Sequence, residues 1–345
     1  MSHPTSCELR TLLFTEQPAR AQVVRLQATW QRIIGGHPYP PIVQRMLGEL
    51  VAASTLLSAS LKFNGSLVLQ LKGDGPIRLL VAECSSELGI RATAMFDPAH
   101  RFDDTASFNA MVNATGQGRF VMILDPRDRL PGQQPYQGII GLEGDNLSQT
   151  IENYMQQSEQ LQTRLWLDTD ASCASGLLLQ QMPGDGGILS AKPSSELSPG
   201  DLAEHWMRLV TLSDTLKPGE LLAHEPATIA HRLFWQEPHQ TLAVRQPVFH
   251  CTCSRDKVAR MLRSLGEAEV MDTLKDQGKI EVNCDYCNTA YAFDAVDCKA
   301  LFVPGSSDFQ TVKQASEKSS AKEQSAEDDG FNGPDDPATP SGTLH

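Results

Sequence analysis

Four of the eight cysteines in this 345-residue chain stand in two close pairs, Cys251-Thr252-Cys253 and Cys284-Asp285-Tyr286-Cys287. Two such pairs separated by a helix-sized insert supply the donors of a tetrahedral thiolate site, and zinc is the default metal for four sulfur ligands. The spacing therefore predicts Zn2+ held by Cys251, Cys253, Cys284 and Cys287. His250 adjoins the first cysteine. Four thiolates already fill the tetrahedron, so a packing or capping role is expected for it. What the site does beyond structure is a separate matter. Oxidants attack the thiolate form of cysteine, and a CxxC pair closes readily into a disulfide, which eliminates two ligands at once. Spacing alone leaves a purely structural site and a redox-sensing site both open.

The remaining cysteines are Cys7, Cys84, Cys173 and Cys298. Cys84 and Cys173 read as small buried residues in strands. Cys298, close behind Cys287, is a candidate spare ligand or disulfide partner. No other constellation nominates an active site. Gly73-Asp-Gly75 and Gly116-Gln-Gly118 lack the rest of a dinucleotide fingerprint, and neither a phosphate-loop lysine motif nor a Gly-x-Ser-x-Gly elbow occurs. The chain is read as not an enzyme.

The elements around the cysteines are expected to bring the pairs together. Gln246–His250 reads as a strand delivering Cys251 and Cys253. Ser254 is a natural N-cap for a helix to about Leu265, with Val258, Met261, Leu262 and Leu265 inward. Glu267 to Asp276 reads as a second helix ended near Gly278. Lys279–Asn283 and Ala290–Phe293 read as strands flanking the CxxC knuckle. Residues 244–303 thus form a C-terminal zinc-binding module with eight basic and nine acidic residues. About sixty residues make a marginal core, whereas a structural zinc site contributes roughly 10–16 kcal/mol to folding.

Upstream, residues 18–34 and 41–60 read as helices. Ser66–Leu71, Ile77–Cys84, Ile90–Phe96, Arg119–Leu124 and Tyr136–Leu142 read as strands, followed by a helix over Asn146–Leu161 and strands Thr163–Asp168 and Gly176–Met182. Many strands with few crossover helices predict an α+β fold, with a mainly antiparallel N-terminal core over 1–185. Turn residues at Pro183–Gly187 and Pro193–Ser195 mark a boundary. Residues 186–243 then read as a helical linker, with Leu202, Trp206, Leu209 and Val210 on one stripe and Pro226 opening a helix through Trp235. Such short helices are unstable alone, so their apolar faces must dock, most simply on the first domain. Residues 304–345 hold three basic and eight acidic residues and read as a disordered acidic tail.

The formal net charge of −13 and pI near 5.1 argue against a nucleic-acid partner. The first residues lack a basic region followed by an apolar run, and Leu50–Leu61 is too polar and short to span a membrane. A cytoplasmic protein is expected, with no membrane partner. Three glycosylation sequons, at Asn64, Asn113 and Asn146, are then idle.

The arrangement resembles the thirty-three-kilodalton heat-shock protein family of redox-regulated bacterial holdase chaperones. The two cysteine pairs match its zinc motif. Tyr136-Gln-Gly-Ile-Ile-Gly-Leu-Glu-Gly144, Glu152–Leu161 with Thr163-Arg-Leu165, Gly73-Asp-Gly-Pro76 and Gly176–Pro183 resemble its N-terminal domain. The likeness spans about residues 10 to 300 and departs at Gln162, where a proline is expected. It implies a client-binding and dimerising core, a linker folded on it, and an inactive, monomeric, zinc-bound reduced state. It further implies that oxidants form the disulfides Cys284–Cys287 first and Cys251–Cys253 next. Zinc release then unfolds the C-terminal domain, and a homodimer holds unfolded or oxidatively damaged clients without ATP. The competing readings are a constitutive zinc-stabilised interaction module and a zinc-ribbon nucleic-acid binder, which the acidic charge disfavours.

Overall fold

The computed structural model describes residues 7–303 except Lys62, 129–133 and 183–197. The boundary turns at 183–187 and 193–195 and the acidic tail therefore lie outside the described residues. The chain is a mixed α+β protein with mostly antiparallel sheets. It divides into two compact units: Met1–Thr252 together with Asn283–Thr289, and Cys253–Val282 together with Ala290–His345.

In the first unit, strands β1 (Cys7–Phe14) and β2 (Ala19–Leu26) precede helices α1 (Ala28–Ile34) and α2 (Pro41–Ser60). Next come β3 (Gly65–Lys72), β4 (Ile77–Ser85), β5 (Gly89–Phe96), α3 (Phe108–Val112), β6 (Arg119–Pro126) and β7 (Tyr136–Gly141). Then follow α4 (Leu147–Ser158), β8 (Thr163–Thr169), β9 (Ala174–Gln181), α5 (Pro199–Ser213), α6 (Glu220–Ala223), α7 (Pro226–Phe234), β10 (His239–Arg245) and β11 (Val248–Phe249). One sheet runs β10-β1-β2-β9-β8, and a second runs β11-β5-β4-β3-β6-β7. Strand β11 is parallel to its neighbour, pairing Val248 with Gly89 and Phe249 with Ile90.

Helix α2 is buried along nearly its whole length between the sheets. Pro41 opens it at a first-turn position, where the missing N–H costs nothing. Its Gly48 lies so close to β8 that a Cβ there would fall 2.2 Å from Thr169 Cγ2, so no larger residue fits.

The first sheet is covered on both faces. Leu9, Val24, Leu26 and Leu178 face α2, whereas Leu12, Phe14, Ala21, Val23, Leu177 and Leu179 face a second cluster. That cluster is completed by Leu209 and Val210 of α5, Leu221 of α6, and Ile229, Leu233 and Phe234 of α7. The short apolar helices thus dock on the first sheet, as their instability alone requires. Ser198 and Asp201 form a reciprocal capping box at the start of α5.

Two-sided burial also corrects the expected helix over residues 18–34. Its first half is strand β2, and only Ala28–Ile34 is helical. A strand buried on both faces lacks the alternation that marks a half-buried one. Val23 and Val24 favour the extended state, and β2 sits between β1 and β9 in register.

The second unit holds α8 (Arg255–Leu265), α9 (Glu267–Gln277), β12 (Ile280–Asn283), β13 (Ala290–Phe293) and α10 (Ala295–Leu301). Ser254 caps α8 by accepting from Lys257 N–H, and Gly278 ends α9 in the left-handed region at φ 73°. The core is small: Ala259, Leu262, Val270, Leu274, Ile280, Phe293, Cys298 and Leu301. Met261 and Leu265, expected inward, are exposed at 44% and 58%. Ala259 and Leu262 define the buried stripe instead, with Val258 partly buried beside them.

Candidate metal centre

The CxC pair follows β11 directly, because its chain is fixed by backbone bonds from Val248 N–H to Leu88 O and from His250 N–H to Ile90 O. The CxxC pair stands on a tight knuckle. Asn288 N–H donates to Cys284 O at 2.8 Å, and Cys284 N–H donates to Thr289 O at 3.0 Å. Closing that loop requires a left-handed residue, and Asn288 supplies it at φ 54°, a conformation asparagine tolerates better than most.

These local folds bring all four predicted cysteines together. The Sγ atoms of Cys251, Cys253, Cys284 and Cys287 lie within 4.8 Å of one another, and all four residues are half-buried. Cys251 Sγ and Cys284 Sγ are 3.7 Å apart. Four sulfurs tetrahedrally placed about 2.3 Å from one ion would be separated by about 3.8 Å. The donor set and its spacing therefore fit a zinc-type thiolate site. Among the described residues no other cluster of histidine, cysteine and carboxylate groups is drawn together in this way.

Hydroxyl groups bond two of the sulfurs. Tyr291 Oη donates to Cys253 Sγ at 3.1 Å, and Cys287 Sγ donates to Thr289 Oγ1 at 3.1 Å. Burial pushes the Cys284 thiol upward, and backbone N–H groups of Tyr286 and Cys287 oppose that by bonding its sulfur. A metal would reverse the balance outright, since coordinated thiols are deprotonated.

His250 stays outside the cluster, its Cβ against Gly89. Cys298 is not a spare ligand: it is buried in the small core, with Sγ 3.9 Å from Phe293 O. Cys84 and Cys173 are buried, as expected, although Cys173 stands just before β9 and not in a strand; burial pushes their thiols up to about 12 and about 11.

Sequence reasoning missed the residues that seat the knuckle. Arg91 of β5 lies over the Tyr286 ring, 4.4 Å from its centroid, and Nη1 donates to Thr252 Oγ1 at 2.9 Å. Asn288 Nδ2 donates to Gly36 O at 2.8 Å. A Cβ on Gly36 would stand 2.9 Å from Asn288 Cβ, so the loop after α1 must stay bare there. His37 is nearby; burial lowers its pKa, against a hydrogen bond with the Tyr286 backbone and the charge of Asp285. Only the Gly35-Gly36 pair hints at this seat in the sequence.

Known proteins resemble this chain over most of its length. A family model described as Hsp33 protein matches residues 8–294. A 33 kDa chaperonin of Methylobacillus flagellatus is 44% identical, over 86% of this chain and 94% of its own. One from Chromobacterium violaceum is 40% identical, over 90% and 97%. The crystal structure of a 33 kDa chaperonin from Thermotoga maritima superposes with a TM-score of 0.70 at 20% identity, covering 86% of this chain and 97% of that one.

Proposed function

The chain belongs to the Hsp33 family, and from that premise we propose that it is an ATP-independent holdase, switched on by oxidation of zinc-bound cysteines. One observation carries the reading: four sulfurs converge at zinc-site spacing on two tight loops. When bound, zinc would keep the four sulfurs as thiolates and tie the two loops to one point.

The switch is the chemistry of the chain's own sulfurs. The thiolates of Cys284 and Cys287 give two electrons to hypochlorous acid or peroxide and form one S–S bond. Chloride and water, or water alone from peroxide, are the reduced products, with protons taken from solvent. Two of four donors are thereby lost, and Cys251 and Cys253 close in the same way. Without four donors the loops part, and the core shared by α8, α9, α10, β12 and β13 is too small to persist. Domain limits of 1–185, 186–243, 244–303 and 304–345 describe the functional segments of this reading.

The surface released is apolar. Helices α5, α6 and α7 cover Leu12, Phe14, Ala21, Val23, Leu177 and Leu179. Uncovered, a patch of that kind binds other proteins. Unfolding clients are the partners, a homodimer is the oxidised form and a monomer the reduced one, and the cytoplasm is the compartment. No helix among the described residues is long and apolar enough to cross a membrane.

The test is aggregation of a thermally unfolding client, followed by light scattering with reduced and with oxidised protein. Protection by the oxidised form alone is expected; equal protection in both states sinks the switch. Zinc retained through hypochlorous acid treatment, with free thiols still counted at all four positions, returns the chain to a constitutive zinc module.

A further inference from the structure

The guanidinium of Arg91 touches the middle of both cysteine motifs. Thr252, between Cys251 and Cys253, accepts from Nη1 at 2.9 Å. Tyr286, between Cys284 and Cys287, lies under the same group at 4.4 Å. The remaining nitrogens are fixed from behind: Nε and Nη2 donate to Glu83 Oε2 at 2.9 and 2.6 Å. Glu83 and Arg91 are direct cross-strand partners of β4 and β5, inside a six-stranded sheet. The side chains of both are about one-fifth exposed.

From this geometry we propose that Arg91 is a positioning residue that holds the CxC and CxxC arms at one point on the β5 edge and so slows loss of the metal. The proposal rests on the zinc reading above. Three features carry it. The guanidinium is immobilised by a two-nitrogen ion pair on a rigid sheet, so it is a fixed reference rather than a mobile surface charge. Its plane serves two arms at once, by an edge hydrogen bond to one and a face contact to the other. Lysine offers neither the fork nor the plane. The seat is also shaped to receive the knuckle, through Asn288 on Gly36 O and the absence of a Cβ at Gly36.

The first step of metal loss from such a site is departure of one arm. A residue that holds both arms opposes that step without being a ligand. Arg91 would then set how readily the arms separate, under a chelator or under an oxidant.

The test uses the full-length, reduced, zinc-loaded chain and an excess of a chromogenic zinc chelator. Metal content is measured first. One zinc per wild-type chain is expected, and its absence overturns the zinc reading together with this inference. Arg91→Ala is expected to lose zinc about tenfold faster, and Tyr286→Leu nearly as fast. The double variant should be little faster than Arg91→Ala, because both changes remove one contact. Arg91→Lys should recover only a small part. Hydrogen exchange separates positioning from general support. Peptides over residues 283–289 should lose protection in Arg91→Ala while those over 65–85 do not change. A zinc-loaded Arg91→Ala chain that releases metal at the wild-type rate overturns the inference alone. If Arg91→Ala does not fold, the release rate of Tyr286→Leu decides in the same way, since its side chain belongs to the knuckle and not to the sheet.

Discussion

Thiol chemistry separates the eight cysteines by environment. A thiol reacts through its thiolate, and burial suppresses that form where it outweighs nearby positive charge. Cys84 and Cys173 are buried, with thiols pushed up to about 12 and about 11. Both should therefore resist alkylation in the folded protein and take no part in oxidation. Mass spectrometry after a timed maleimide pulse should find them unlabelled while all eight label in denaturant. Replacing both with alanine should leave zinc content and client protection unchanged. Glu49 makes a second residue-scale prediction. Burial raises its carboxyl from the ordinary 4.5 to about 7, with Arg45 opposing and Asp168 adding to the shift. Between those pH values the folded chain holds a proton that the unfolded chain has released. Stability therefore falls as pH rises through the window, by up to about 3 kcal/mol from this group. Glu49→Gln should raise the thermal midpoint at pH 8 and have little effect below pH 4.5; an equal effect at both pH values would contradict it. The convergence of the four cysteines was legible because each close pair is local in sequence. Arg91, Gly36 and Glu49 were not, because their roles depend on partners between 119 and 252 residues away.

At the scale of elements, patterns that repeat over a few residues were readable and two-sided burial was not. The helix over 41–60, its proline start, the Ser254 cap and the Gly278 stop all follow local rules, and each stands where expected. Strand β2 reads as a helix because both its faces are buried. Strands β1 and β10 are not legible locally either. β10 pairs with β1 across more than 220 residues, carries a register shift at Thr11/Leu12, and leaves Leu242 and Val244 about half exposed. Helix α7 carries the sharpest prediction here. Phe234 is fully buried and meets Phe14 edge-to-face at 5.2 Å. Phe234→Ala deletes the largest side chain that the three helices bury fully on the first sheet, at a cost of about 3–5 kcal/mol. That loss should fall on docking of α5, α6 and α7. The reduced variant should be cut faster by protease within residues 198–238, and should show partial client protection without oxidant. Wild-type protease resistance in the reduced state would show that these helices are held by something other than this contact.

For the whole molecule, the two compact units differ in what sustains them. The first has two large sheets, a buried central helix and a core of several dozen side chains. Among its described residues the second has eight buried side chains, including Cys298 and Ala259, on three short helices and a two-stranded ribbon. Burying so little apolar surface leaves a domain near zero net stability once chain entropy is counted, whereas four thiolate bonds to zinc are worth roughly 10–16 kcal/mol. Metal removal should therefore divide the molecule rather than melt it. Treatment of the reduced chain with a strong chelator should abolish hydrogen-exchange protection over residues 255–301, while peptides from β3, β4 and β6 keep theirs. Zinc should restore the protection, and cadmium should do so as well, since four sulfurs accept either ion. Unfolding of both units together on chelation would mean that the cysteine site supports the sheets directly. Protection over 255–301 that survives full metal removal would mean that the small core is self-sufficient, and the proposed switch would have lost its energetic basis.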